Sequence, residues 1–254
     1  MLRMMAQCAA NKGNECRNLH KLIHKTGKTL PVDISSEPTK VVLLSGRPRV
    51  ATIRYPILYL SAWAKQLFST GGQMLLGGHS LEDPDAYCRM LRVFWQRFRH
   101  VRPEHDVYDR ADAEAGFDLG FCIPVAIHGD EGRGKLKRPV MVLSYQPLIS
   151  FKGPRFVNSS GHSFTTRLLF TVVPSEMYYK QQTIDTLHAA MVRDLQSLYS
   201  DGITVWKQQT LKFRFVPVML KGDWPYIRAA AHLATGFTSK RVCHLCSSEA
   251  TRFG

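Results

Sequence analysis

The chain has 254 residues, which is long enough to bury a hydrophobic core and to form one or two domains. Its 34 Lys and Arg residues against 20 Asp and Glu residues leave a formal net charge of +14. This charge favours a polyanionic partner, nucleic acid before an anionic membrane, although a basic surface can also serve solubility alone. The sequence lacks the ~18 consecutive apolar residues of a membrane span, and its six cysteines are scattered. Composition therefore predicts a soluble protein that is neither secreted nor embedded in a membrane.

The first half of the chain is predicted to be a basic arm followed by helices. Residues 1–50 are basic, rich in turn formers and weakly periodic, which predicts a poorly ordered arm. Residues 51–115 are predicted to form a helical region, with one helix over 60–68 and another from Asp83-Pro84 to about His100. An acidic linker after this helix predicts a domain boundary near residue 115.

Two groups of basic residues are candidate contacts to a nucleic-acid backbone. One forms a row on the second helix, and the other follows the first predicted strand. The candidates are Arg89, Arg92 and Arg99 in the helix and Arg133, Lys135, Lys137 and Arg138 after the strand. Arginine and lysine rows can follow phosphates, but a solvated helix face and a solvated hairpin tip are the alternatives.

Residues 116–254 change to a pattern of strands around one long helix. Apolar, β-branched and aromatic residues predict strands over 117–127, 139–145 and 164–173. Apolar residues at helical spacing predict an amphipathic helix over 184–198, and a buried strand over 216–220 follows. This order predicts an α/β fold with a mixed sheet, in which a three-strand antiparallel meander and a crossover helix precede a strand parallel to the first.

Two aspartates follow glycines at the ends of predicted strands. Asp130 comes after Gly129, and Asp223 comes after Gly222. On neighbouring strands, ~4.8 Å apart, these carboxylates could share Mg²⁺ or Mn²⁺ ions, as in two-metal phosphoryl-transfer sites. The glycines would let backbone or substrate approach closely. The alternative is that both acids only begin turns.

Cys243 and Cys246 form a Cys-x-x-Cys pair with the spacing of a zinc knuckle. A closed Zn²⁺ site needs four ligands, and only two are evident here. A redox pair and two inert thiols remain the alternatives.

The order of these motifs resembles the catalytic domain of CACTA-type transposases and their Plavaka-like relatives. The resemblance covers about half of the chain and implies a partial ribonuclease-H-like domain over 116–254 that ends in the Cys-x-x-Cys element. It implies that Asp130 and Asp223 match the two aspartates of an Asp, Asp, Glu triad, and that Cys243 and Cys246 match the family's cysteine pair. DNA would be the partner and the nucleus the compartment.

The family chemistry is metal-dependent cleavage of DNA by water, followed by attack of the freed 3′-hydroxyl on target DNA. The third acid of the triad is not found before Gly254, and Glu131 is a rival ligand beside Asp130. The expectation is therefore a fragment or decayed copy of a transposase, inactive in this form. The alternative is a non-catalytic, zinc-containing module that binds nucleic acid.

Overall fold

The computed structural model describes residues 15–27, 31–44, 46–133, 139–152, 167–206 and 210–233, without the side chains of residues 15, 16 and 133. The chain divides into two units, Met1–Asp33 and Ile34–Gly254. In the first unit, helix α1 (Glu15–Lys25) ends in a basic last turn formed by His24 and Lys25, which suits the negative end of a helix dipole.

The second unit is a mixed α/β structure, as the sequence predicts. Its described strands are β1 (Ser35–Leu43), β2 (Arg49–Ile57), β3 (Cys122–Arg133), β4 (Pro139–Pro147), β5 (Leu168–Pro174), β6 (Ile203–Trp206) and β7 (Thr210–Gly222). Its described helices are α2 (Leu60–Ser69), α3 (Pro84–Val101), α4 (Asp106–Ala113), α5 (Gln182–Ser200) and α6 (Trp224–Ala230). None of the helices in these ranges is long and apolar enough to cross a membrane.

The strands of the second unit form two sheets. β1 and β2 make an antiparallel pair, and the other five strands have the order β5-β4-β3-β7-β6. The three strands β3, β4 and β5 form an antiparallel meander, and β7 lies parallel to β3 after the crossover helix α5. These pairings agree with the predicted strand order, whereas the short antiparallel edge strand β6 was not predicted.

One face of the five-stranded sheet carries the larger hydrophobic core. Alternate residues of β3, including Ile123 and Val125, point to this face together with Phe213 and Phe215 of β7. Helix α5 packs against them because its apolar residues recur at helical spacing. The buried members of α5 are Ile184, Leu187, Ala190, Met191, Leu195 and Leu198. The predicted helix over 184–198 is thus confirmed, with one additional turn divided between its ends.

A smaller core lies on the intervening residues of β3 and β7. It gathers Cys122 and Val216 around Trp95, whose indole N–H donates to the Cys122 carbonyl at 2.8 Å. Helix α3 contributes to both cores, with Leu91 in the larger and Trp95 in the smaller. Its predicted start is also confirmed, because the Asp83 carboxylate accepts from the Ala86 N–H at 3.2 Å and Pro84 occupies the first turn.

The structure differs from the prediction in the region before residue 60. Residues 35–57, expected in the arm and at the start of the helical region, contain the β1–β2 pair. Val41, Tyr55 and Ile57 of this pair are buried in the larger core. Charged residues and prolines in both strands interrupt the period-2 alternation of apolar residues in the sequence. The burial of Val41, Tyr55 and Ile57 can therefore be recognised only from their packing against the rest of the unit.

The acidic segment before residue 115 is a helix and not a linker. Helix α4 begins after His105, whose ring Nδ1 accepts from the Val107 N–H at 3.2 Å, and it buries Val107 and Tyr108. Its aspartates occupy exposed positions before and after these two buried residues. Residues before and after 115 share the smaller core, so no division near 115 separates the described residues.

Candidate functional site

The two Gly-Asp pairs meet at one edge of the sheet. Gly129 of β3 pairs in parallel register with Gly222, the last residue of β7. Asp130 and Asp223 follow them at neighbouring positions, on strands that lie ~4.8 Å apart. Both side chains are exposed. β3 continues to Arg133 beside β4, so the prediction that this strand ends at Asp130 was wrong.

A register shift in β7 determines which face its last residues occupy. The parallel pairing advances from Val125↔Pro217 directly to Ala126↔Met219, so Val218 is an extra residue on β7. Such a bulge reverses the alternation of the residues that follow. Lys221 therefore shares a face with His128, and Asp223 continues along the face of Asp130. Without the shift, both would lie on the side of the larger core.

Asp223 also has a structural role. Its carboxylate accepts from the Tyr226 N–H at 2.9 Å and caps the start of helix α6, with Pro225 in the first turn. This bond corresponds to the alternative in which the acid begins a turn. Since the cap uses one carboxylate oxygen, Oδ1, it is compatible with a second ligand on the other oxygen.

The space at the two glycines is occupied by a tyrosine. A Cβ at Gly129 or at Gly222 would overlap the Tyr226 ring, and one at Gly222 would also overlap the Gly129 carbonyl. Tyr226 is buried, and its hydroxyl lies 3.1 Å from His188 Nε2 of helix α5. The glycines thus permit an intramolecular contact on the core face. The predicted close approach at these glycines is, on that face, an approach of backbone and of the Tyr226 ring.

The opposite face carries a polar row across three strands. His128 of β3 pairs with Ser144 of β4 and with Lys221 of β7, and Gln146 lies two residues from Ser144 on the same face. Lys221 Nζ donates to Gln146 Oε1 across the small residue Ala126. His128, Ser144 and Gln146 are buried. We call these four residues, His128, Ser144, Gln146 and Lys221, the polar row.

Burial and neighbouring charge shift the protonation of this face. The pKa of His128 falls to about 4, mainly because burial disfavours the imidazolium and because Arg167 and Lys221 add positive charge nearby. Asp130 and Asp223 act in the opposite direction. Burial also lowers the pKa of Lys221, and Arg167 adds to this effect. His128 is therefore neutral at pH 7, with two carboxylates and two cations within electrostatic range.

Glu131, the rival ligand, lies on the other face from Asp130. Successive residues of a strand alternate between faces, and the Glu131 carboxylate accepts from the Ser175 hydroxyl. The pair of acids on the polar face is therefore Asp130 and Asp223.

Two of the three helix arginines already have acidic partners within the fold. Arg92 forms a two-point ion pair with Asp118, at 3.1 and 2.5 Å. Arg99 lies 3.4 Å from Asp112 and stacks over the Tyr108 ring at 4.9 Å. Arg89 is exposed beside Arg92 in an open groove of about 810 Å³. The predicted phosphate-binding row is thus partly engaged in ion pairs with α4 and with the segment before β3.

Several predicted site residues lie outside the described residues. These are Lys135, Lys137, Arg138, Cys243 and Cys246, together with the side chain of Arg133.

Sequence reasoning missed the polar row, although one signal for it exists. The triplets His128-Gly129-Asp130 and Lys221-Gly222-Asp223 share the pattern of a nitrogen base, glycine and aspartate. A register that pairs the glycines also pairs His128 with Lys221. Ser144 and Gln146 carry no comparable signal, because alternation alone does not tell which polar residues of a strand will be buried.

No three His, Cys, Asp or Glu side chains in the described part of the chain gather closely enough to hold a metal ion on their own. Comparison of the chain with models of known protein families, with characterised proteins and with solved structures found no match.

Proposed function

We propose that this protein is a metal-dependent phosphoryl-transfer protein that acts on DNA, with a transposase-like, ribonuclease-H-like domain. One observation carries the proposal: Asp130 and Asp223 follow paired glycines on the parallel strands β3 and β7. The carboxyl ends of parallel strands are where open α/β sheets bind their ligands. The antiparallel meander, the crossover helix and the parallel strand support the comparison with the ribonuclease-H-like fold.

The donor set on this face fits Mg²⁺ or Mn²⁺. Both ligands are hard carboxylate oxygens, and Mg²⁺ is usually held by one or two carboxylates, several waters and substrate phosphates. A bound divalent ion would assist attack on the phosphodiester and neutralise charge that develops on the leaving oxygen. Asp130 and Asp223 would hold it at the sheet edge. The Tyr226 N–H would keep the Asp223 carboxylate oriented through the helix cap.

DNA as the partner rests on charge and on the motif order. The net charge of +14 favours a polyanion. The order of the two aspartates and the Cys-x-x-Cys pair along the chain resembles that of the transposase catalytic domain. The nucleus as the site of action and a zinc ion at Cys243 and Cys246 belong to the same proposal. The nucleus follows from the resemblance, and the zinc ion follows from the zinc-knuckle spacing of the two cysteines.

Metal binding tests the proposal directly. We expect Mn²⁺ titration, followed by calorimetry, to detect binding that the double variant Asp130→Asn, Asp223→Asn weakens at least about tenfold, because both charged ligands are lost. Asparagine is a good helix cap, so α6 should stay folded. Asp109→Asn, in helix α4, is the matched control and should bind like the parent. Equal Mn²⁺ affinity in all three proteins would contradict the paired-carboxylate site.

A second candidate is a non-catalytic nucleic-acid-binding module, favoured by the helix cap that already employs Asp223. Nicking of supercoiled DNA in the presence of Mn²⁺ distinguishes the two. Nicking by the parent and by Asp109→Asn, but not by the double variant, would support the catalytic proposal and would contradict the expectation that this chain is inactive. DNA binding that survives the double substitution, without nicking by any of these proteins, would favour the binding module.

A further inference from the structure

The polar row presents hydrogen-bond donors directly beside the proposed metal ligands. We propose that the polar row, with Arg167 at its margin, is a subsite for one phosphate group of a nucleic-acid backbone. This inference rests on the proposed function and deepens it, because it assigns the residues that would hold the substrate's phosphoryl oxygens next to Asp130 and Asp223.

The register brings the row and the acids onto one face. His128, Ser144 and Lys221 are directly paired across β4, β3 and β7, and Asp130 lies two residues beyond His128 on the same strand. Because residues two apart on a strand share a face, His128 of the polar row and Asp130 lie next to each other on the same face of the sheet. Side chains that come from rigid strands are held more accurately than those on loops.

Buried polar atoms without partners point to a ligand. Gln146 and Ser144 are 0% and 2% exposed, and His128 is 7% exposed. Among the residues that the structure describes, no group forms a hydrogen bond with Gln146 Nε2, Ser144 Oγ or His128 Nδ1. Buried polar groups are normally paired, so three such atoms in one row require a common explanation. Ligand oxygens on this face would satisfy them together.

The chemistry of these atoms favours an oxyanion. The Gln146 amide nitrogen and the Lys221 ammonium only donate, and the Ser144 hydroxyl and the His128 imidazole can each donate a hydrogen. The Gln146 side-chain carbonyl already accepts a hydrogen bond from the Lys221 ammonium. Arg167 lies close enough to Lys221 and to His128 to interact electrostatically with both side chains. Two cations and several neutral donors suit phosphate, whereas a metal ion would require acceptors.

The adjacent carboxylates complete the argument. A phosphate held by the polar row would lie between fixed donors on one side and the proposed metal ligands on the other. Carboxylates and substrate phosphates together usually supply the protein and substrate ligands of Mg²⁺ in phosphoryl-transfer sites. The row would therefore position the phosphate, and Asp130 and Asp223 would bind the ion.

Phosphate binding by the full chain tests the subsite. Inorganic phosphate would be titrated with and without Mn²⁺ and followed by calorimetry. We expect Lys221→Gln to weaken phosphate binding about tenfold, because a charged donor is lost, and Ser144→Ala to weaken it by a smaller factor. Lys212→Gln, an exposed lysine near the other end of the same strand, is the matched control and should leave binding unchanged. Phosphate affinity that is equal in the parent and both subsite variants would overturn the proposal.

A competition experiment identifies the source of the phosphate. A short single-stranded oligonucleotide should displace bound inorganic phosphate from the parent protein, and Lys221→Gln should weaken its binding as well. Lys221-dependent phosphate binding that no oligonucleotide displaces would overturn the assignment to nucleic acid. Loss of Mn²⁺ binding in the aspartate double variant, with phosphate binding independent of Lys221, would overturn the subsite and leave the proposed function standing. Parallel thermal unfolding would show that each variant is folded.

Discussion

At the residue scale, the contact between Tyr226 and two glycines holds the candidate site together. Tyr226 lies one turn after Asp223, on the core face of the paired glycines, and its hydroxyl meets His188 of α5 at 3.1 Å. The ring therefore connects helix α6, the β3–β7 pair and helix α5. A side chain on either glycine would force this ring away from the sheet.

The glycine contact predicts a specific loss of stability. Gly129→Ala should destabilise the protein by about 1–3 kcal/mol, as overpacking of a buried contact usually does. Gly132→Ala is a matched control on the same strand, because a Cβ at Gly132 meets no atom within 4 Å. Urea unfolding measures both variants. Equal stability of the two variants would show that the Tyr226 ring does not depend on Gly129.

The hydroxyl of Tyr226 should contribute less to the stability of the protein than its ring does. Tyr226→Phe removes the bond to His188 and should cost about 1 kcal/mol, with the glycine contact retained. This value is an upper bound if His188 finds another partner in the variant.

At the element scale, the cap of helix α6 and the proposed metal ligand are the same residue. Asp223 accepts from the Tyr226 N–H at 2.9 Å, and Asp83 makes the equivalent bond at the start of α3 at 3.2 Å. The two caps differ in position, because Asp83 begins helix α3 whereas Asp223 follows Gly222, the partner of Gly129. Substitutions at both positions can therefore separate the capping role from metal binding.

This pair of caps predicts a separable outcome. Asp223→Ala and Asp83→Ala should each lower the free energy of unfolding by about 1 kcal/mol, and the asparagine variants should lose less because Asn also caps helices. Mn²⁺ affinity should fall in both Asp223 variants and in neither Asp83 variant. Denaturant unfolding would measure the stability of each variant, and calorimetry would measure its Mn²⁺ affinity. Full Mn²⁺ affinity in Asp223→Asn would restrict this residue to its capping role.

At the scale of the whole molecule, the net charge of +14 predicts that the proposed DNA binding depends on salt. Each phosphate contact contributes about 0.9 to the slope of the logarithm of affinity against the logarithm of salt concentration. Exposed arginines should contribute more to this slope than arginines that are already paired with acids in the fold. Arg89 is exposed, whereas Arg92 is bound to Asp118 at two points.

The arginine row can be tested through this slope. Arg89→Gln should reduce it by about 1 if Arg89 contacts a phosphate, and Arg92→Gln should reduce it less because Arg92 would have to leave Asp118. Fluorescence anisotropy of labelled DNA over a range of salt concentrations provides the measurement. Identical slopes in the parent and Arg89→Gln would exclude this helix face from the DNA interface.

Much of the architecture follows from local patterns in the chain. Asp83-Pro84 and the apolar period over 184–198 predict helices α3 and α5, because caps and a 3.6-residue period act over a few residues. The order of strands around α5 predicts the meander and the parallel pair. The strand pair over 35–57 and the helix over 106–113 escaped prediction, because their few buried residues stand among charged ones and are recognisable only by what they pack against.

The candidate site divides in the same way. By itself, the sequence determined that a Gly-Asp pair would stand beside each of two apolar strand segments, since strand propensity is a local property. Only the tertiary structure decided that Gly129 pairs with Gly222, that Tyr226 fills the space beside them, and that the extra residue Val218 turns Lys221 and Asp223 onto the face of His128 and Asp130. These outcomes depend on register between strands far apart in the chain, and a shift of one residue would reverse the face of each side chain.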